Sequence, residues 1–247
     1  MSDRSFPFPS ASQATYGVDA PGVVRGFFAA ALGLLAAGLV LAALPGVWTA
    51  IGAGLAGLAL IPCALGLSML AYSWQGKKRL RDRLLSERAW RGDETVLDVG
   101  AGRGLMAIGA ARRVPRGRVY ALDVWSARDL TGNTPDALRA NAVAEGVAGR
   151  IHVLDADART IPLDDESVDV VLSVFCLHNI EPASERETAL AEIVRVLAPG
   201  GVALIADFPG AGPYVEPLRA AGLTVADPRR AEATALGVAG YLVATKR

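Results

Sequence analysis

Apolar residues dominate one long stretch in the first third of the chain. Residues 26–76 contain no Asp, Glu, Lys, Arg or His. A helix needs about 20 apolar residues to cross a bilayer, and Pro45-Gly46 divides the stretch into apolar runs at residues 23–44 and 47–72. The pattern therefore predicts a transmembrane helical hairpin with a tight turn.

A different pattern begins near residue 93, where short apolar runs alternate with helical segments. The runs predict strands at residues 95–99, 118–123, 151–155, 168–174, 201–207, 223–227 and 239–244. Helices are predicted at residues 103–113, 135–145, 184–197 and 212–221. Such alternation is typical of a Rossmann-like, doubly wound α/β sheet. We expect seven strands, of which the last two flank a loop at 228–238 and can form an antiparallel edge.

These patterns divide the chain into four parts. Residues 1–22 are rich in Ser, Pro and Ala and predict a disordered tail. The membrane hairpin follows at 23–74, and a basic linker helix at 75–92 (its helical part 77–91) leads away from it. Residues 93–247 form the predicted α/β domain.

The charges around the hairpin predict its orientation. Cations crowd the end of the second apolar run, at Lys77, Lys78, Arg79, Arg81 and Arg83, whereas the turn at 45–46 carries no charge. The positive-inside rule then places both termini and the α/β domain in the cytoplasm, on a cell-membrane protein with two spans. A cleaved signal peptide would have a single short apolar core, and a hairpin buried within a soluble protein is the other alternative.

Composition adds three expectations. The formal net charge is zero, so no global basic field predicts nucleic-acid binding. The only cysteines, Cys63 and Cys176, fall in the second apolar run and the α/β domain and predict no disulfide, and with only two histidines we expect no metal site. Small residues at helical spacing permit close packing within the hairpin or between copies in a homo-oligomer: Ala29, Gly33 and Ala37, and Ala53 and Gly57.

The strongest chemical signal is the run Asp-Val-Gly-Ala-Gly-Arg-Gly at residues 98–104. It lies between a predicted strand and a predicted helix, the layout that lets a backbone approach a nucleotide-like ligand closely. A dinucleotide-binding turn has the spacing G-x-G-x-x-G, whereas Gly100, Gly102 and Gly104 give G-x-G-x-G. The run instead resembles motif I of the class I methyltransferases, which bind S-adenosylmethionine (SAM).

Later residues extend the resemblance over about residues 90–247. Asp123 ends the second strand, where a carboxylate can accept hydrogen bonds from both ribose hydroxyls. Val124 and Trp125 follow at the expected adenine face, and Trp125 would either stack on the ring or cover the domain edge. The Pro-Gly-Gly turn at 199–201 resembles the turn that precedes a strand in this family.

The end of the third strand offers two acids for the adenine amine. Asp157 is followed by Ala158 and matches the acid-Ala position of the family, while Asp155 is the rival. The resemblance thus implies a cofactor site formed by Asp98, Gly100, Ala101, Gly102, Gly104, Asp123, Val124, Trp125, Asp157, Ala158 and Phe175.

Residues after the fourth and fifth strands are candidates for chemistry. His178 lies in an apolar-His stretch similar to that of related small-molecule methyltransferases, so we expect a general base or a hydrogen bond to the acceptor; the alternative is a loop cap. Cys176 is not expected to be a nucleophile, since methyl transfer needs none. The acceptor pocket is expected near Asp207, Phe208, Tyr214 and the loop 209–212.

The long connection at 125–134 is either a surface ornament or a functional loop. In the second case Asp129 or Asn133 would touch cofactor or substrate.

The resemblance implies a SAM-dependent methyltransferase, which the hairpin would anchor to the lipid bilayer. The expected acceptor is a small or lipid-like molecule. A catalytically inert SAM-binding scaffold or regulatory module is the alternative from another class. An NAD-linked oxidoreductase would need the glycine spacing that this chain lacks.

Overall fold

A computed structural model describes residues 14–234 and 237–247, with side chains for 14–231 and 239–247. The first thirteen residues of the expected disordered tail lie outside this description. Two helices are long and apolar enough to cross a membrane, Pro21–Ala42 and Val47–Leu85. The helical hairpin that the hydrophobic pattern predicts is therefore present as a fold element.

The second arm of the hairpin is a helical run from residue 47 to residue 85, with a turn residue, Ala59, between its first two segments. It consists of α2 (Val47–Leu58), α3 (Leu60–Ala71), a π-helical turn (Tyr72–Gly76) and α4 (Lys77–Leu85), and it faces α1 (Pro21–Ala42). The predicted linker helix at 77–91 stops early, at Leu85. The indole Nε1 of Trp90 donates to the carbonyl of Leu85 at 2.7 Å, which satisfies a terminal helix carbonyl from outside the helix.

Close contact within the hairpin is made by Gly38 and Gly52. A Cβ at Gly38 would lie 2.6 Å from the amide nitrogen of Ala56, and one at Gly52 would lie 2.2 Å from that of Ala42. The small residues noted in the sequence do not form this helix–helix contact, since a Cβ at Gly33 or Gly57 would meet nothing within 4 Å. Oligomerisation through the hairpin stays a prediction.

The α/β domain has a mixed sheet in the order β3-β2-β1-β4-β5-β8-β6. Its first five strands are parallel and β8 is antiparallel to its neighbours. The strands are β1 (Thr95–Val99), β2 (Arg118–Asp123), β3 (Ile151–Asp155), β4 (Val168–Val174), β5 (Leu197–Asp207), β6 (Leu223–Val225), β7 (Arg229–Thr234) and β8 (Gly237–Lys246). The helices are α5 (Leu105–Ala111), α6 (Pro135–Ala144), α7 (Ala183–Val196) and α8 (Val215–Ala220). The doubly wound architecture is as predicted.

The prediction of a loop at 228–238 is wrong, because strand β7 lies there. The sheet therefore has eight strands where seven were expected. Strand β6 pairs only with residues 244–246 of β8. The earlier part of the same β8 edge would present unpaired backbone groups, and β7 pairs with it at residues 237–241. The polar sequence of β7 gave no strand signal.

Two apolar cores lie on the two faces of the sheet. Ile193 of α7 packs on one face. On the other face, with α5 and α6, lie Leu80, Leu84 and Leu85 of α4, all fully buried. Each buried leucine contributes about 2 kcal/mol, so the second arm of the hairpin is built into the core of the α/β domain.

Residues 14–20 differ from the expected disordered tail, because they are pinned to the α/β domain. The Thr15 amide donates to Oδ1 of Asn141 at 3.0 Å, and the Ala20 amide donates to the carbonyl of Asp129 at 3.0 Å. Tyr16 is buried. Hydrogen bonds from the segment's own backbone and the buried Tyr16 ring therefore hold residues 14–20 on the α/β domain.

Candidate active site

A cavity of about 690 Å³ lies at the carboxyl ends of the parallel strands. This is the edge at which open α/β sheets bind ligands. Predicted site residues that line it are Asp98, Gly100, Ala101, Gly102, Asp123, Val124, Asp157, Ala158, Phe175 and His178. Gly104 and Trp125 do not line it.

The glycine turn is held in shape by positive φ angles and by backbone hydrogen bonds to strand β2. Gly100, Gly102 and Gly104 have φ angles of 75°, 55° and 85°, which favour glycine. The amides of Gly100 and Ala101 both donate to the carbonyl of Leu122, at 2.8 and 3.0 Å. Gly104 therefore acts away from the cavity, by shaping the turn at the start of α5.

Gly100 also marks the closest approach in the site. A Cβ there would lie 2.4 Å from both Cβ and Sγ of Cys176. Burial raises the pKa of the Cys176 thiol, and the carboxylates of Asp123 and Asp207 raise it further. The thiol is therefore protonated and a poor nucleophile, in line with the sequence expectation.

Asp98 is almost fully buried behind the turn. Its Oδ2 accepts a hydrogen bond from the amide of Ala107 at 2.8 Å, which caps the first turn of α5. Burial raises the pKa of Asp98 to about 7, the Ala107 amide opposes the shift and the Asp123 carboxylate adds to it.

The Asp123 carboxylate accepts three hydrogen bonds on the side of the cavity where the cofactor is expected. Its Oδ2 accepts from the Gly102 amide at 2.8 Å. Its Oδ1 accepts from the Trp125 amide at 2.6 Å and from Nδ2 of Asn133 at 3.2 Å. The carboxylate is therefore oriented by the chain itself.

Asn133 supplies a test of whether a cofactor fits here. Its side chain is 5% exposed and lines the cavity beside Asp123. Among the described residues, its buried Oδ1 has no hydrogen-bond partner, and buried acceptors without partners are costly. A ligand with vicinal hydroxyls, such as the ribose of SAM, would supply donors to both residues, so the site fits the cofactor.

The loop after β2 turns Trp125 away from this cavity. Trp125 has a φ angle of 59°, and its side chain packs against the core that contains α5. Of the two interpretations of Trp125, the structure supports the domain-edge cover. Val124, Asn133 and Asp129 do line the cavity, so the long loop belongs to the site.

Of the two acids near the end of β3, only Asp157 lines the cavity. Asp155 is exposed elsewhere. The Arg159 guanidinium binds both oxygens of Asp157, at 2.9 Å to Oδ1 and 2.6 Å to Oδ2, and holds the pKa of that carboxyl below its usual value. Asp157 is thus an ionised acceptor, shared with Arg159.

His178 is held by a buried acid. Its Nδ1 lies 2.5 Å from Oδ1 of Asp207, and its amide donates to Oδ2 of the same residue at 3.0 Å. The Tyr214 hydroxyl also donates to that Oδ2, at 2.6 Å. Asp207 and Tyr214 therefore stand behind His178 and do not line the pocket, whereas Phe208 does.

Burial and the Asp207 carboxylate both raise the pKa of Tyr214, so its hydroxyl keeps its proton and stays a donor. Asp207, with one of its oxygens on Nδ1, fixes the ring tautomer. Among the described residues, none makes a hydrogen bond to the second ring nitrogen, Nε2, and His178 lines the cavity.

One wall of the cavity is not predicted by the sequence pattern. It is formed by the N-terminal segment and the second hairpin arm, through Tyr16, Asp19, Ala20, Met69, Tyr72, Ser73 and Lys77. The rings of Tyr72 and Phe175 lie 6.0 Å apart between centroids, at 58°. Apart from Lys77, the first cation after the charge-free stretch, nothing in the sequence marks these residues.

A family model described as a methyltransferase domain matches residues 97–205. The ubiquinone/menaquinone biosynthesis C-methyltransferase UbiE of Vibrio parahaemolyticus is 33% identical over 129 residues, which cover 52% of this chain and 46% of that protein. The protein of the same name from Idiomarina loihiensis is 35% identical over 114 residues, 46% of this chain and 42% of that protein. The chain thus spans about half the length of the curated relatives it matches.

Solved structures share the fold at lower identity. A SAM-dependent methyltransferase from Aquifex aeolicus has a TM-score of 0.55 and 22% identity, over 68% of this chain and 89% of that one. An N1-methyltransferase from Burkholderia thailandensis, with S-adenosylhomocysteine bound, has a TM-score of 0.53 and 22% identity; the match covers 68% of this chain and 76% of that one. The [4+2]-cyclase SpnF has a TM-score of 0.57 and 20% identity, over 68% and 81%. The family and sequence matches therefore show that residues 97–205 resemble a methyltransferase domain, and the structural matches show that the chain shares the fold of SAM-dependent methyltransferases.

Proposed function

We propose that this protein is a membrane-anchored methyltransferase that moves a methyl group from SAM to a small or lipid-like acceptor. One observation carries the proposal. A single cavity contains both the motif I turn with Asp123 and the His178 ring held by Asp207. A cofactor-binding surface and a proton acceptor thus face the same space.

Each of the residues around the cavity has a proposed role in binding SAM. Asp123 and Asn133 would hold the ribose, and Asp157 would accept from the adenine amine. The glycine turn gives close backbone contact. Bound SAM supplies an electrophilic methyl group: the acceptor's electron pair forms the new bond to carbon, and the carbon–sulfur pair returns to sulfur.

His178 is the proposed proton acceptor. An acceptor O–H, N–H or activated C–H would lose its proton to Nε2, and Asp207 stabilises the charged ring through Nδ1. The names of the relatives, quinone-biosynthesis C-methyltransferases, support an apolar acceptor. Positioning of the reacting groups supplies most of the rate.

Turnover tests the proposal directly. Full-length protein in lipid nanodiscs would receive SAM labelled on its methyl group, together with the lipid and aqueous extracts of bacterial cells. We expect His178→Asn to lower turnover about 100-fold with unchanged SAM affinity. The other histidine, exposed at position 152, gives the matched control His152→Asn. SAM binding without turnover in any extract would favour the inert scaffold.

Reporter fusions test the anchoring. A fluorescent protein that folds only in the cytoplasm should be bright at the C-terminus, and dark when inserted at Pro45-Gly46. Protein recovered in the soluble fraction after membranes are washed with alkaline carbonate would contradict the two spans.

A further inference from the structure

The second hairpin arm forms part of the wall of the active-site cavity. Met69, Tyr72, Ser73 and Lys77 line it, at a spacing that places them on one helical face. Met69 and Tyr72 are 6% and 8% exposed, because they face the cavity and the α/β domain. The same helix is therefore both the proposed span and a wall of the site.

The π-helical turn sets the position of Tyr72. A Cβ at Gly76 would lie 2.4 Å from Cδ2 of Tyr72, so glycine lets the ring lie along the helix. The ring then reaches Phe175, whose φ angle of 55° is itself unusual for a phenylalanine. π-turns occur frequently at functional sites, and this one joins the hairpin to the loop that carries His178.

The charges place this wall at the level of the bilayer. Met69 precedes Lys77 by eight residues, which is about 12 Å along a helix. No charged residue intervenes, and Trp74 between them is 64% exposed, as expected for an aromatic side chain at a membrane interface. A cavity that extends to Met69 extends into the apolar boundary of the membrane.

The lining of the cavity is part polar and part apolar. Carboxylates and backbone amides stand at the proposed cofactor positions, at Asp98, Asp123 and Asp157. The hairpin adds the apolar Met69 and Tyr72 and the polar Ser73 and Lys77, and Phe175, Ile180 and Phe208 are further apolar lining. Because about 690 Å³ must also hold the cofactor, the remaining space suits the headgroup of an acceptor and leaves a long chain outside.

We propose that the acceptor is a membrane-resident amphiphile that reaches the cavity sideways from the bilayer, between the Met69–Tyr72 edge of the hairpin and the loop at 175–181. Met69, Tyr72 and Phe175 contact the apolar part next to its headgroup, and its tail stays in the lipid. The headgroup lies by His178 with a proton to lose. This inference rests on the proposed function, and it assigns the hairpin a role in substrate selection beyond anchoring.

Photo-crosslinking tests the route without knowledge of the natural acceptor. The probe is a long-chain alkylphenol with a diazirine on the chain carbon next to its ring, the part that the proposal places inside the cavity, added to the protein in phosphatidylcholine vesicles. We expect cross-links in the tryptic peptides 160–186 and 196–219, which contain Phe175 and Phe208. Cross-links confined to the hairpin peptide 26–77 would overturn the route.

A matched pair of variants locates the opening. Met69→Trp fills the edge, and we expect it to lower cavity cross-linking about tenfold while SAM affinity changes less than about threefold. Leu67→Trp, on the exposed side of the same helix at 56% exposure, should cross-link like wild type. Equal cross-linking in both variants would contradict the route. If a variant misfolds, the cross-linked peptides of the wild-type protein still test the route.

Turnover separates the two proposals. Methylation found only in the aqueous extract would overturn the amphiphile but keep the methyltransferase. Cavity cross-links without methylation in any extract would overturn methyl transfer and leave the route in place.

Discussion

Asp123 is fixed in place before any ligand arrives, by the amides of Gly102 and Trp125 and the side chain of Asn133. We expect Asp123→Ala to weaken SAM binding by more than about 100-fold, since two hydrogen bonds to a charged group contribute about 1.5–3 kcal/mol each. Calorimetric titration measures this loss. The variant should also be less stable, because two turn amides lose their acceptor.

Asp155 provides the control, because it ends the neighbouring strand but is exposed outside the cavity. Asp155→Ala should bind SAM like wild type. Equal affinity in the two variants would remove Asp123 from the ribose site.

Asp98 predicts an unusual dependence of stability on pH. Its pKa of about 7 in the fold lies above its ordinary value of 3.8, so the folded protein holds an extra proton between these values. The free energy of unfolding therefore falls as pH rises through this window. Asp98→Asn cannot ionise and should lack this fall, which we expect to be on the order of 1–3 kcal/mol from about pH 5 to pH 8.

Urea denaturation of both proteins across this range, without SAM, provides the measurement. Other titrating groups are common to both, so the difference isolates residue 98. Stability curves that run parallel would show that Asp98 is ionised throughout.

Most of the acids expected in the cavity line it, as do Phe175 and Phe208, whereas Trp125 does not and Tyr72 was not expected there. Asp98, Asp123 and Asp157 stand at strand ends, where parallel topology dictates where they point. Trp125 follows Asp123 directly, but a backbone hydrogen bond to that carboxylate reverses the chain and turns the indole away. Tyr72 reaches the site through tertiary packing alone.

Among the elements, the hairpin depends on a glycine contact. A Cβ at Gly52 would lie 2.2 Å from a backbone nitrogen and 2.5 Å from a backbone oxygen of α1, so the helices must separate. We expect Gly52→Ala to lose about 1–3 kcal/mol. Gly54 on the same helix has nothing within 4 Å of its would-be Cβ, and Gly54→Ala should be neutral or gain up to about 1 kcal/mol from helix propensity.

Thermal unfolding in detergent micelles compares the two variants. A Gly52→Ala protein as stable as Gly54→Ala would show that the helices do not pack as described.

The strands β1 to β4 follow the sequence pattern residue for residue, since buried parallel strands are continuous apolar runs. The sequence pattern did not predict the strand boundaries that depend on pairing with other strands. Strand β5 begins at Leu197, where 201 was expected, and β7 exists because β8 offers it a free edge. Thr134 caps α6 by accepting a hydrogen bond from the amide of Ala137 at 3.1 Å.

Across the whole molecule, Lys77 ties the N-terminal segment to the hairpin arm. Its Nζ donates to the carbonyls of Tyr16 and Gly17, both at 2.7 Å, and pairs with Asp19 at 3.2 Å. We expect Lys77→Met to release residues 14–20, at a cost of about 2–3 kcal/mol, because three buried or half-buried acceptors lose their donor. SAM affinity should fall as well, since Asp19 lines the cavity.

Hydrogen exchange measures the release. Amides of residues 14–20 should exchange faster, while those of β4 keep their protection. Arg118→Met removes an exposed cation and should alter neither. Unchanged exchange in Lys77→Met would mean that other bonds hold the segment.

The 39-residue helix Val47–Leu85 has a consequence for where this protein can operate. It is about 58 Å long, and it contains both the proposed span and Leu80 and Leu84, which lie in the domain core. With the hairpin inserted, a span that tilts to match a thinner bilayer tilts the domain with it and reshapes the cavity at Met69 and Tyr72. Lipid chain length would then act as an input to catalysis, and the enzyme would sense the hydrophobic thickness of its membrane.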